Sequence, residues 1–343
     1  MSFEYIQKIP NADEILNEMP LRKELKGVKE KCDQEIQAVF KHKNNKFLVI
    51  IGPCSADNED AVCEYVARLA KLQQKVAEKI VLVPRIYTNK PRTTGEGYKG
   101  MVHQPIPTAE PDIVGGLKAI RKMHLRVLRE SHLTAADEML YPTNYPYLAD
   151  VLSYVAIGAR SVENQQHRLT ASGLDIPVGM KNPTSGDLTV MLNSVQAAQK
   201  PHVFIYHDWE VKAPGNPLTH CILRGATDHE GHHHPNYGYE VLSQVADLYN
   251  RRDLAYPTIL VDTNHANSGK QFAEQPRIAM DVLKSIKKSE VLRNMVKGLM
   301  IESYLTEGAQ DASGTTYGQS ITDPCLGWEA SEKLVLDLAE ALP

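Results

Sequence analysis

The chain has 343 residues, with 38 Lys and Arg against 42 Asp and Glu and a formal net charge of -4. That length buries a substantial core as one large or two ordinary domains. The nearly balanced charge gives no general electrostatic drive toward nucleic acid or anionic membrane, so any anion site has to be local. The five cysteines, Cys32, Cys54, Cys63, Cys221 and Cys325, are odd in number and lack CxxC spacing, which argues against a disulfide framework or a zinc ribbon. Residues 1–10 carry Glu4 and Lys8 and lack the apolar core of a signal peptide, and no apolar run approaches the ~20 residues of a membrane helix. A reduced, soluble, cytoplasmic protein is expected.

Pro20, Leu21, Leu25, Val28, Cys32, Ile36 and Val39 step by threes and fours, which predicts an amphipathic helix behind a polar arm over residues 1–19. From residue 46 the pattern alternates. Strands are expected at 47–52, 80–85, 134–138, 154–158, 177–181, 203–206, 258–262 and 298–302. Helices are expected near 58–75, 113–130, 146–153, 165–172, 189–199, 239–251, 275–288 and 329–341. The second of these places Leu117, Ile120, His124, Val127 and Leu128 on one side. Strand signals each followed by a helix signal indicate an α/β fold, a (β/α)₈ barrel with an N-terminal helical extension. Residues 1–45 are assigned to the extension and 46–343 to the barrel.

Barrel strands deliver their C-terminal ends to one mouth, where chemistry concentrates. Reading off those ends gives Cys54, Arg85, Glu138, Arg160, Lys181, His207, His265 and Glu302. Arg85, Lys90, Arg92, Arg160, Lys181 and Arg224 would crowd cations into one cavity of a slightly acidic protein. Self-repulsion makes that costly unless anions neutralise it, so a multiply anionic substrate is expected. Cys54, His265, Glu302 and Asp323 combine a thiolate, an imidazole and two carboxylates. Those mixed donors suit one divalent Mn²⁺, Fe²⁺, Co²⁺ or Zn²⁺ better than Mg²⁺ or Ca²⁺, which prefer oxygen alone. Each residue taken singly also has an ordinary structural role open to it. His232-His233-His234 follows Asp228-His229-Glu230-Gly231 in a polar loop without strand context and reads as solvated. The glycine-rich segment at 93–100 neither directly follows a strand nor opens a helix, as a P-loop would.

Several stretches in order resemble the type I 3-deoxy-D-arabino-heptulosonate 7-phosphate (DAHP) synthases. They are Ile51-Gly52-Pro53-Cys54-Ser55, Lys90-Pro91-Arg92-Thr93-Thr94, Gly158-Ala159-Arg160-Ser161, Gln166-His167-Arg168, Pro177-Val178-Gly179-Met180-Lys181-Asn182, Ile222-Leu223-Arg224-Gly225, His265-Ala266-Asn267-Ser268, Ile301-Glu302-Ser303 and Ser320-Ile321-Thr322-Asp323. The resemblance implies a metal-dependent barrel enzyme that condenses phosphoenolpyruvate with erythrose 4-phosphate in the first step of the shikimate pathway. It implies metal ligation by Cys54, His265, Glu302 and Asp323. Phosphoenolpyruvate would be held by Arg85, Lys90, Arg160, Lys181 and Arg224, and the erythrose 4-phosphate phosphate by Arg92 and Thr93. Lys90, Glu138 and His265 would carry the catalytic roles, with the water-activating base left open. A homodimer or homotetramer is expected.

Two alternatives stand beside it. One is a 3-deoxy-D-manno-octulosonate 8-phosphate synthase, disfavoured because those enzymes carry a Lys-Ala-Asn-Arg-Ser type loop where this chain has Lys90-Pro91-Arg92-Thr93. The other is a non-catalytic anion-binding regulatory protein on the same scaffold. Many members of the family bind an aromatic amino acid effector away from the mouth. Where feedback-sensitive members carry small serines this chain has Asp175 and Tyr206, and Tyr145-Pro146 replaces a Pro-Gln pair. Altered or absent inhibition by phenylalanine is therefore expected.

Overall fold

A computed structural model describes residues 1–342. Its central element is an eight-stranded parallel sheet. The strands are β1 (Phe47–Gly52), β2 (Ile80–Pro84), β3 (Ala135–Glu138), β4 (Leu152–Ile157), β5 (Val178–Lys181), β6 (Thr219–Leu223), β7 (Ile259–Asp262) and β8 (Val296–Glu302). β1 pairs with both β2 and β8, and a parallel bridge from Arg85 to Ala136 joins β2 to β3. The ring therefore closes, as the expected (β/α)₈ barrel requires. All eight strands are buried throughout, which is why they read as apolar runs rather than as alternating ones.

Two apolar layers follow from strand periodicity. Leu48, Ile50, Val81, Val83, Ala136, Tyr154, Ala156, Ile222, Leu260 and Met300 belong to one cluster, which Ile36, Val39 and Phe40 join. Val49, Ile51, Leu82, Val155, Val178, Val261 and Leu299 belong to a larger cluster with the helices that surround the strands. The N-terminal segment thus contributes apolar cover: α2 (Lys23–Phe40), preceded by the short α1 (Ala12–Glu18), sends Phe40 against Tyr154 and His220. α1 falls in what the sequence suggested was an arm. Its N-cap is Asn11, which accepts from the Glu14 N–H while the Glu14 carboxylate accepts from the Asn11 N–H.

Two sequence expectations fail. Residues 203–206 are not a barrel strand. His202–Tyr206 pairs antiparallel with Trp209–Ala213 in a hairpin whose first strand alternates between half-buried and exposed residues. The sixth barrel strand is Thr219–Leu223, whose polar Thr219 and His220 are wholly buried. His207 consequently sits at the exposed tip of the hairpin, not at the mouth. The helix expected at 146–153 is a 3₁₀ turn over Pro142–Tyr147, with β4 starting at Leu152. Pro146 has no N–H to continue an α-helical ladder.

Candidate active site

Gly52 ends β1 opposite Glu302 of β8. A Cβ there would lie 2.2 Å from the Arg85 carbonyl oxygen, so only glycine permits this approach of β1 to the chain leaving β2. Beyond Gly52 the chain turns inward and buries Cys54 completely. The Cys54 sulfur, a Glu302 oxygen and an Asp323 oxygen lie within 4.8 Å of one another. His265 Nε2 stands 3.9 Å from Glu302 Oε1, beside that trio. Three residues of the expected metal set, far apart in sequence, therefore meet at one end of the barrel, with His265 beside Glu302.

Their electrostatics fit a divalent ion. The Lys90 ammonium sits 2.5 Å from Cys54 Sγ and 3.2 Å from Asp323 Oδ2, so a cationic group already occupies the space these donors face. Lys90 and then His265 and Lys270 hold the Asp323 carboxyl well below the ordinary range, against the opposing effect of burial. Burial resists ionisation of Glu302 too, but Arg85, His265 and Lys90 outweigh it and keep the group ionised. Burial, reinforced by Glu302, pushes the Cys54 thiol up to about 11. Such a thiol ionises when it binds a metal. Burial lowers His265, against the opposing pull of Asp262 and Glu302.

Neighbouring groups orient the donors. Arg85, 1 % exposed, donates from Nη2 to Glu302 Oε1 at 2.9 Å, donates to the Pro53 carbonyl and stacks over the Tyr87 ring. Asn264 Nδ2 donates to the other Glu302 oxygen at 2.5 Å. Asp262, at the end of β7, lies 2.8 Å from His265 Nδ1 and 2.9 Å from Lys181 Nζ. The His265 contact has the distance but not the direction of a hydrogen bond, so its attraction is electrostatic. Asp262 and Asn264 were within the sequence stretch that ends in His265, but their supporting roles were not visible there. Their positions at and just beyond a barrel strand's C-terminal end were the available signal.

The cations gather over the same mouth. Arg85, Lys90, Arg92, Arg160, Lys181, Arg224 and Lys270 line one cavity of about 230 Å³, together with Thr93, Glu138, His265 and Asp323. Arg224 is buried and its Nη1 has no partner. Burial, followed by the effect of Arg160, lowers its hold on its proton, as expected where an anion is needed to complete a site. Arg160 is exposed at the rim. Arg92 reaches back through Nε to the Tyr98 carbonyl at 2.8 Å, while Gly97 packs beneath its guanidinium. Glu138 enters from β3 under Gly158, where a Cβ would be 2.2 Å from Glu138 Oε1. Every residue singled out for the site is thus at this mouth except His207.

A parallel barrel whose strand ends hold a sulfur, imidazole and carboxylate cluster beside a multiply cationic cavity defines a class: barrel proteins that present a divalent metal to a polyanionic ligand. The sequence pattern of the DAHP synthetase I family matches residues 26–336. The chain is 37% identical over 337 residues to a phospho-2-dehydro-3-deoxyheptonate aldolase of Haemophilus influenzae, covering 96% of this chain and 90% of that protein. It is 38% identical over 315 residues to a Phe-sensitive phospho-2-dehydro-3-deoxyheptonate aldolase of Escherichia coli K12, covering 90% and 87%. A solved phospho-2-dehydro-3-deoxyheptonate aldolase from Francisella tularensis superposes with a TM-score of 0.91 at 32% identity, covering 100% of this chain and 98% of that one. The chain belongs to the DAHP synthetase I family.

Proposed function

We propose that the protein is a DAHP synthase, joining phosphoenolpyruvate, erythrose 4-phosphate and water into 3-deoxy-D-arabino-heptulosonate 7-phosphate and phosphate, the entry to the shikimate pathway. The observation that carries this reading is the joint placement of the Cys54, Glu302 and Asp323 trio and the cation-lined cavity at one barrel mouth. Cys54, His265, Glu302 and Asp323 would hold one divalent ion, which when bound supplies Lewis acidity toward the aldehyde of the sugar phosphate.

The chain's own groups supply the rest. Arg160, Lys181 and Arg224, with Arg85 and Lys90 beneath, would fix the carboxylate and phosphate of phosphoenolpyruvate by charge-assisted hydrogen bonds. Arg92 and Thr93 would fix the distal phosphate of the sugar and so place its C1 against C3 of the enol phosphate. As the C3–C1 bond forms, the aldehyde oxygen gains charge and takes a proton. Lys90 is the buried ammonium at hand, positioned by Cys54 and Asp323. Water adds to C2 and gives up a proton, for which Glu138 or a substrate phosphate oxygen serves as acceptor, and the hemiketal phosphate then expels phosphate.

Residues 1–45 serve as an extension and 46–343 as the catalytic barrel. A cytoplasmic homodimer or homotetramer is the assembly we favour. Phe3, Tyr5, Ile6, Val203, Ile205 and Trp209 are exposed apolar groups suited to subunit contact, and no helix among the described residues is long and apolar enough to cross a membrane. An aromatic amino acid effector is retained as part of the reading, though not phenylalanine bound beside the hairpin.

Phosphate release from phosphoenolpyruvate and erythrose 4-phosphate, with and without chelator and with Cys54→Ala, tests the reaction. Metal-dependent release that the variant abolishes is expected. Turnover with arabinose 5-phosphate but not erythrose 4-phosphate, or full activity in chelator and in the variant, would overturn it.

A further inference from the structure

The barrel closes between β2 and β3, and that seam is thin. β1 pairs with the whole of β2, and β3 pairs with β4 over its full length. Among the described residues, β2 meets β3 at a single bridge, Arg85 to Ala136, where the Ile86 N–H donates to the Ala136 carbonyl at 2.9 Å. Beyond it lie the groups assigned to chemistry: the chain leaving β2 leads to Lys90, and β3 ends in Glu138.

The Asp137 side chain continues the seam past that bridge. Its Oδ1 accepts from the Thr88 N–H at 2.9 Å and from the Glu138 N–H at 2.7 Å, and its Oδ2 accepts from the Thr88 hydroxyl. Thr88 in turn is the root of the loop that carries Lys90, Arg92 and Thr93. Its carbonyl accepts from the Val102 N–H at 3.3 Å, so both limbs of the loop meet there. A Cβ on Gly100 would lie 2.5 Å from the same carbonyl oxygen, which packs the returning limb directly on the root. Further out, the Lys90 N–H donates to the Lys99 carbonyl at 3.0 Å and Arg92 Nε to the Tyr98 carbonyl at 2.8 Å. A loop cross-linked in this way follows its root.

We propose that Asp137 is a positioning residue for the condensation: its carboxylate locks the root of the Lys90 loop to the end of β3 and so sets Lys90 and Arg92 against Glu138. The lock is stiff because the carboxylate is 5 % exposed and its partners are two amides and a hydroxyl rather than a cation. Burial pushes its carboxyl up to about 7, with the three donors pulling the other way. A buried acceptor that loses a donor bears the full cost of its desolvation, so the group favours the one arrangement that keeps all three. Closing the barrel alone would need only backbone bonds. Here a single oxygen joins the amide of Glu138 to the amide that begins the Lys90 loop, which fixes the two functional segments relative to each other.

This role for Asp137 rests on the reaction proposed for the barrel. It is tested on the full-length protein with Mn²⁺ present, by initial rates of phosphate release with phosphoenolpyruvate and erythrose 4-phosphate varied in turn. Asp137→Ala is expected to lower kcat about tenfold or more and to raise KM for erythrose 4-phosphate about threefold or more, through Lys90, Arg92 and Thr93. KM for phosphoenolpyruvate should stay within about twofold, because Arg160, Lys181 and Arg224 follow other strands. Loss of folded protein lowers kcat and leaves each KM where it was, so the rise in one KM separates positioning from mere support. Asp137→Asn keeps an oxygen for the two N–H groups and turns its amide to the Thr88 hydroxyl, and should recover kcat to within about threefold of wild type. Thr88→Val removes the hydroxyl alone and should fall between the two; it decides the matter if Asp137→Ala does not fold. Wild-type constants in Asp137→Ala and Thr88→Val, a fall in kcat with both KM values unchanged, or an Asp137→Asn as impaired as Asp137→Ala would overturn the proposal. A wild type that releases no phosphate from the two substrates shows instead that the barrel reading has failed, and the role of Asp137 falls with it.

Discussion

Asp262 and His265 stand three residues apart on the loop leaving β7, with Oδ2 and Nδ1 separated by 2.8 Å. The same carboxylate oxygen takes the Lys181 ammonium at 2.9 Å. One buried anion thus holds together His265 and Lys181, the residues proposed to take the metal and phosphoenolpyruvate, and keeps the imidazole's Nε2 toward Glu302. Carboxylates placed behind metal-binding histidines typically contribute 10–100-fold in metal affinity. Asp262→Asn should therefore raise the metal concentration needed for half-maximal activity by about that factor. Saturating metal should restore much of kcat, while a higher KM for phosphoenolpyruvate persists through the loosened Lys181. An unchanged metal requirement in a folded variant would show that Asp262 does not position His265.

Acid should destabilise the fold through the barrel interior. His220 is wholly buried, with Nδ1 against the Leu218 carbonyl at 2.9 Å and Nε2 against the Tyr154 hydroxyl at 2.8 Å. Nδ1 then carries the hydrogen and Nε2 accepts from Tyr154, so protonation has no room in this arrangement. Burial lowers the ring to about 4 from 6.5, despite the opposing Leu218 bond. Between those values the unfolded chain takes a proton that the folded chain refuses. The contribution is present above pH 6.5 and falls as pH drops toward 4, by up to ~1.4 kcal/mol per pH unit. Urea titrations at pH 7 and pH 5 should show a smaller stability loss for His220→Gln than for wild type. Equal losses would place the acid sensitivity elsewhere.

The expected donors Cys54, His265 and Glu302 were readable because each lies at or just beyond a stretch whose burial forces its end to a common mouth, whereas Asp323 follows Gln319–Ser320, which pairs outside the barrel. Phe47–Gly52, Ile259–Asp262 and Val296–Glu302 are such stretches. β6 was not readable for the converse reason. Its Thr219 and His220 look polar, yet both are buried, and His220 is satisfied by the Leu218 carbonyl and the Tyr154 hydroxyl across the barrel. Val203-Phe204-Ile205-Tyr206 has the stronger intrinsic strand composition and forms a strand, but one that pairs only with Trp209–Ala213. Strand existence is a local property; membership of the barrel depends on partners far along the chain. The same limit hid the Lys90 position between Cys54 and Asp323, which no spacing in the sequence encodes.

Arg92 should discriminate between the two substrates. It lies on the loop after β2, with its Nε held by the Tyr98 carbonyl and its remaining guanidinium toward the cavity edge. An arginine fork grips a phosphate through two parallel bonds that a shorter neutral side chain lacks. Arg92→Ala is expected to raise KM for erythrose 4-phosphate at least about tenfold, equivalent to ~1.4 kcal/mol. KM for phosphoenolpyruvate should stay within about twofold, well under that amount. Equal rises in both constants would mean that the loop closes the whole site rather than reading one phosphate.

A cavity lies between the Pro142–Tyr147 turn, the helix Gln165–Ser172 and the hairpin. It measures about 340 Å³ and is lined by Tyr145, Pro146, Leu174, Phe204, Tyr206 and Lys212 among others. Tyr206 lines this space without closing it, so the bulky residues reshape the cavity instead of filling it. An amino acid effector needs an anion for its ammonium and a cation for its carboxylate as well as an apolar wall. Lys212 offers the cation and the aromatic groups the wall, but no Asp or Glu lines the cavity itself; Asp175, which follows Leu174, acts on Tyr145 from outside that lining. Phenylalanine should therefore leave phosphate release unchanged, whereas the chain's E. coli relative is named for its sensitivity to that amino acid. Tyr206→Ser should enlarge the cavity without changing kcat, since Tyr206 belongs neither to the Cys54, Glu302 and Asp323 trio nor to the lining of the cation-rich cavity. A titration in which phenylalanine inhibits wild type strongly would show that this wall accepts the ligand without a carboxylate of its own.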